Sequence, residues 1–218
     1  MTNPRETPSA VGSPVRDEPL AVELMNTRWA DRDGIHDALA TAPAATAWLD
    51  AVRDRLPLIR SARGPVRRSL TASEAADLRR LRDAIRAVAA FVTDDPRAVA
   101  DDDRATTPVD TAVAAVNAVA SAFPPRLLHR ERGALLADRR SPAVAEAWMA
   151  AFATDAVPLL AGDHEGGSLR ACLAPGCVRY FVQDHPRREW CSPACGNRAR
   201  VARHYERTRS AARGPSGR

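Results

Sequence analysis

The 218 residues contain four cysteines, and all four fall in one short stretch: Cys172, Cys177, Cys191 and Cys195. The leading segment, MTNPRETPSAVGSPVRDEP, lacks the apolar centre of a secretory signal, so the chain reads as intracellular. Thiols stay reduced there, which makes a disulfide framework a poor default. The spacing C-x4-C-x13-C-x3-C reads instead as two pairs of zinc ligands. Four thiolates fill a tetrahedron and leave no open position, so the expectation is one structural Zn2+ per chain. His185 and His204 are the neighbouring alternative donors, and a filled tetrahedron has no place for either.

Local chemistry around the cysteines supports that reading. Pro175 and Gly176 are turn residues between the first pair, Pro fixing φ and Gly permitting positive φ. Val178–Val182 has strand propensity, and a polar turn over 183–188 leads to Glu189-Trp190, which reads as a hairpin. Ser192-Pro193 then reads as an N-cap followed by the first helical position. That places Cys191 just before a helix and Cys195 in its first turn, where the helix dipole favours thiolate. Knuckle, hairpin and helix together look like a treble-clef type of finger.

Charge is distributed unevenly. Residues 170–218 carry 11 arginines against three acids, a formal +8, which leaves residues 1–169 at 21 arginines against 24 acids, a formal −3. A basic tail on an acidic body favours an anionic partner for the tail, nucleic acid before membrane. No apolar stretch reaches the roughly 18 residues that a membrane-spanning helix needs. On the helix after Cys195, Arg200, Arg203, His204 and Arg207 cluster on one face at about 100° per residue. These four are the candidate DNA contacts. Arg198 shares a different face with Val201, Ala202 and Tyr205, expected to pack on the hairpin. It is assigned a structural part, neutralising the zinc–thiolate centre or bonding a carbonyl. Gly196 is expected to permit close approach of backbone to the knuckle, and Asn197 to bond loop backbone.

The body reads as helical. Residues 1–18 read as a flexible arm; a short apolar segment could be helix or strand, and the helical spacing of Leu20, Leu24 and Met25 favours helix; Thr41-Ala42-Pro43 opens a helix with Trp48, Leu49, Val52 and Leu56 on one face, ended by Pro57. Thr71 and Glu74 spell a capping box, followed by the apolar stripe Leu78, Leu81, Ile85, Val88 and Val92. Arg79, Arg80, Arg82, Asp83 and Arg86 on the other side read as a solvated face. Asp94–Asp103 reads as an acidic loop. Thr107-Pro108 caps a helix lined by Val109, Val113, Val116 and Val119, stopped at Pro124-Pro125. Residues 126–138 read as a small β-hairpin. Ser141-Pro142 starts a helix burying Val144, Trp148, Ala151 and Phe152 before Pro158, and Gly162–Gly167 reads as a linker. The expected fold is thus mainly α: a helical domain over 19–165, a finger over 168–210 and a flexible tail over 211–218. The body has no phosphate loop, nucleophile elbow or paired-histidine helix, and His36, His129 and His164 are scattered. The chain does not read as an enzyme.

Cys195-Gly196-Asn197-Arg198 spells the motif of the CGNR zinc finger family, which the tail resembles; Trp190-Cys191-Ser192 and the run through Tyr205 and Arg207 fit it too. The body resembles the ABATE domain that precedes this finger in bacterial proteins, through Glu23-Leu24-Met25-Asn26-Thr27 and Ala47-Trp48-Leu49. The resemblance implies a stress-linked transcription regulator of the cytoplasm, nucleoid-associated when bound to DNA. The leading expectation is a DNA-binding regulator, with a homodimer through the helical body as a further expectation. The alternative is an adaptor whose finger binds protein or RNA. The operator and any small-molecule effector are not legible. The body is expected to stay folded without zinc.

Overall fold

The computed structural model describes residues 18–56, 69–97, 107–122, 127–138 and 148–212. In chain order its elements are α1 (Leu20–Met25), β1 (Arg28–Asp31), β2 (Gly34–Asp37), α2 (Ala42–Val52) and a 3-10 turn (Arg53–Arg55). Then follow α3 (Ala72–Val92), α4 (Val109–Ala120), β3 (Leu127–Glu131), β4 (Ala134–Asp138) and α5 (Trp148–Ala161). The last are β5 (Ser168–Ala171), β6 (Tyr180–Gln183) and α6 (Pro193–Ala212). The fold is mainly α, and the hairpin expected over 126–138 is the antiparallel pair β3–β4, joined by a two-residue turn. Among the described residues no helix is long and apolar enough to cross a membrane.

Helix α1 sits at the centre of the body, with all six of its residues buried. A helix this short gains little from its own hydrogen bonds, so its stability comes from packing. It lies against α3 and α5. Trp48 of α2 meets Phe152 of α5 at 5.5 Å between ring centroids, and Trp148 meets the same ring edge-on at 6.4 Å. Leu78, Leu81, Ile85 and Val88 of α3 are buried as the periodicity predicts, whereas Val92, in the last turn, is exposed.

Both expected caps at the helix starts of α2 and α3 form. Thr41 accepts from the Ala44 amide. At α3 the Glu74 amide donates to Thr71 Oγ1 at 3.2 Å and the Thr71 amide donates to Glu74 Oε2 at 2.8 Å. Replacing Thr71 by Ala is expected to lower stability by about 1 kcal/mol, measured by urea unfolding. An unchanged midpoint would show that packing alone holds this end.

Several expectations are corrected. Arg82 is not on a solvated face: its side chain is 3% exposed and bonds Asp37 at 2.6 Å and Asp83 at 2.9 Å. Arg79 donates to Leu39 O, and Arg86 donates to Met25 O at 2.9 Å and Val178 O at 3.0 Å. Long guanidinium arms reach backbone carbonyls at the end of α1 and in the connecting segments. Pro108 occupies the N-cap position itself and no side chain caps α4. Ala112 and Val116 are the buried residues of that helix, while Val113 is exposed. Helix α5 runs through Pro158 to Ala161. Strand β6 pairs with β5, from Ser168↔Gln183 to Ala171↔Tyr180, not with residues 189–190. Glu18, assigned to the arm, is buried, and its carboxylate accepts from the Val182 amide. The rest of the arm, Pro57, Asp101–Asp103, Pro124-Pro125, the start of the Ser141-Pro142 helix with Val144, and residues 213–218 lie outside the described residues.

Candidate metal centre

The two cysteine pairs are delivered by two different devices. Cys172 and Cys177 lie in the loop joining β5 to β6, so the strand pairing brings both ends of that loop together. The Cys172 amide donates to Arg179 O and the Cys177 amide to Ala174 O, each at 2.9 Å. Gly176 takes the positive φ of +70° that its place in the knuckle requires. The second pair is set by a helix start. Ser192 is the N-cap, its Oγ accepting from the Cys195 amide at 3.2 Å, and Pro193 is the first residue of α6.

All four Sγ atoms lie within 4.8 Å of one another, and all four residues are buried. Cys177 and Cys191 sulfurs are 3.8 Å apart, and those of Cys191 and Cys195 3.4 Å. A tetrahedron with Zn–S bonds of about 2.3 Å has S–S edges of about 3.8 Å, so the donor set fits zinc. The four cysteines thus form a zinc-finger site for one structural Zn2+. Neither His185 nor His204 joins the cluster.

Around the sulfurs, Phe181 and Ala174 form a small apolar core with Trp190 against it. Arg198 Nη2 lies 3.1 Å from Cys195 Sγ, placing a positive charge on the thiolate cluster. The face it shares does not pack on the hairpin, however: Val201 is 54% and Tyr205 66% exposed. A Cβ on Gly196 would stand 3.1 Å from Trp190 Cδ1, so the close approach there is to the indole ring. Asn197 is exposed and accepts from Arg200 within α6, rather than from loop backbone. Arg203 lies over the Trp190 ring at 5.7 Å, and its guanidinium is 4.0 Å from the Glu189 carboxylate. His204 meets Tyr205 edge-on, and Arg207 is exposed.

The reading of the sequence missed the residues that dock this centre on the body. Asn26 pairs with β6 as a strand would: its Nδ2 donates to Tyr180 O at 2.8 Å and its Oδ1 accepts from the Tyr180 amide at 2.9 Å. Arg97, read as part of an acidic loop, donates to the carbonyls of Cys172 and Cys177. The available signal was Asp95-Pro96, an acceptor side chain before a proline, which marks a turn; Asp95 Oδ1 accepts from the Arg97 amide two positions on.

The fold and the site define a zinc-finger protein in which one four-thiolate centre is built onto a helical body. The family model described as CGNR zinc finger matches residues 168–208. The ABATE family model, described as "Putative stress-induced transcription regulator", matches residues 18–163, and the chain belongs to this family. A comparison with curated proteins finds no match.

Proposed function

We propose that the protein is a DNA-binding transcription regulator whose contact element is α6. The observation that carries this reading is the exposure of Arg200, Arg203 and Arg207 along a helix anchored at one end by the metal centre. From Arg203 to Arg209 every residue is exposed. A helix exposed on every face from His204 to Arg209 fits a DNA groove, and arginines on it meet phosphates or guanine edges. His204 lies on the same face. The acidic balance of residues 1–169 opposes phosphate, which assigns nucleic-acid contact to the finger. A pair of chains joined through their helical bodies would present two such helices, and the cytoplasm is the compartment that suits this work. One observation favours a second reading: the exposed Val201 and Tyr205 on another side of α6 suit a protein or RNA surface.

The test is fluorescence anisotropy of the zinc-loaded chain on duplex DNA over a range of salt. Replacing Arg200, Arg203 or Arg207 by Ala is expected to reduce the slope of log K against log salt by about 0.9 per lost phosphate contact. An arginine that reads guanine would instead cost about 1–3 kcal/mol at one base position. If all three variants keep the parent's slope and affinity, α6 is not the contact element. If duplex DNA is not bound at all while RNA or protein is, the adaptor reading replaces this one.

A further inference from the structure

The body and the knuckle meet through one arginine of the body, Arg97, which reaches the main chain of the knuckle. Arg97 Nη1 donates to Cys172 O at 2.8 Å and to Cys177 O at 2.6 Å, so one nitrogen holds the backbones of both knuckle ligands. Arg97 is itself held twice by one carboxylate: Nε and Nη2 each lie 2.7 Å from Asp95 oxygens. Asp95 has a side chain 3% exposed, accepts from the Arg97 amide at 3.0 Å and accepts the Tyr180 hydroxyl at 2.8 Å. Tyr180 belongs to β6, and the guanidinium groups of Arg86 and Arg97 lie over its ring at 5.0 and 5.5 Å. Burial pushes the Tyr180 phenol up to about 12, so it remains a neutral donor to Asp95. Burial works against the Asp95 carboxylate, but bonds from Arg97 and Tyr180 outweigh it and hold its pKa below the usual value.

The apolar contacts cross the same junction. Leu169 of β5 and Tyr180 and Val182 of β6 are buried in the body's core, not in the small core around the sulfurs. The hairpin that carries the knuckle therefore has one side in each core.

We infer that Arg97, fixed by Asp95, is a positioning residue for the zinc site, and that zinc occupancy and the stability of the helical body are linked. Pinning two ligand carbonyls to one guanidinium holds the Cys172 and Cys177 backbones at a set separation before the ion arrives. Its positive charge, with that of Arg198, also offsets the net −2 of a zinc ion bearing four thiolates. Partners of this kind behind the ligands typically carry about 10- to 100-fold of metal affinity. Linkage is reciprocal: what the folded body contributes to zinc binding, bound zinc contributes to the body. On this reading the body stays folded without zinc but melts at a lower temperature.

The experiment uses the full chain and two readouts. Zinc affinity is measured by competition with a chromophoric chelator, and body stability by thermal melting of the helical circular dichroism with and without zinc. Arg97→Ala is expected to weaken zinc by about 10- to 100-fold. Asp95→Asn should weaken it less, and the double variant should lose less than the sum of the two single losses, since Asp95 acts on the ligands chiefly through Arg97. In the parent chain, zinc removal should lower the melting temperature of the helices, and Arg97→Ala should shrink that difference. If Arg97→Ala does not fold, Arg97→Lys keeps the charge but cannot hold Asp95 and both carbonyls, and should lose zinc affinity with the helices intact. Unchanged zinc affinity in the folded variants, additive losses in the double variant, or a parent melt unaffected by zinc removal would each overturn the inference.

Discussion

Replacing Cys191 by Ser is expected to empty the zinc site and unfold the finger. Cys191 is the member of the second pair that touches the first, its sulfur 3.8 Å from that of Cys177 and 3.4 Å from that of Cys195. A hydroxyl is a far poorer zinc ligand than a thiolate, and three thiols cannot close the tetrahedron. Structural zinc contributes about 10–16 kcal/mol in isolated finger peptides, more than the small core around Phe181 can replace. Elemental analysis of the parent chain, purified without added metal, should give one zinc per chain, and the variant close to none. A variant that retains its zinc would show that the four sulfurs are not the ligand set.

Arg82→Leu is expected to be the most damaging change in the body away from the metal. The side chain is buried, and its guanidinium bonds Asp37 at 2.6 Å and Thr27 Oγ1 at 3.3 Å. Burial disfavours its charge, yet the bonds from Asp37 and Asp83 outweigh that and raise its pKa. Removing one partner of a buried pair typically costs about 3–5 kcal/mol, and the partial exposure of Asp37 puts this case near the lower figure. Arg80, two residues away with a side chain 70% exposed, pairs with Asp77 at the surface. Arg80→Leu should change stability by less than about 0.5 kcal/mol. Equal losses in the two variants, measured by urea unfolding, would return Arg82 to the solvated face.

The contrast between Arg80 and Arg82 marks the limit of the sequence as a guide. At about 100° per residue the two lie about 160° apart, Arg80 away from the stripe of Leu78, Leu81 and Ile85 and Arg82 beside Leu78 at its edge. A long charged side chain at such an edge can turn to solvent or inward, and the placement of β2, which brings Asp37 beneath α3, turns Arg82 inward. The Pro158 stop failed for a related reason. A proline inside a helix costs one backbone bond and some bending. The buried row of Phe152, Ala156 and Leu159 holds α5 together across it.

What the sequence by itself determined is what short-range chemistry decides. The two cysteine pairs, the Ser192 cap with Pro193 after it, the Thr71–Glu74 box and the α3 stripe each depend on residues a few positions apart. Spacing alone therefore states their geometry. What only the tertiary structure decided depends on groups remote in the chain: Arg97 reaches Cys177 across 80 positions, and Asn26 meets Tyr180 across 154. Their targets are main-chain carbonyls and amides, which every residue possesses and no motif can name. Which arginine reaches which carbonyl is settled when α1, α3 and β6 pack together, because a buried polar group must find its partner there.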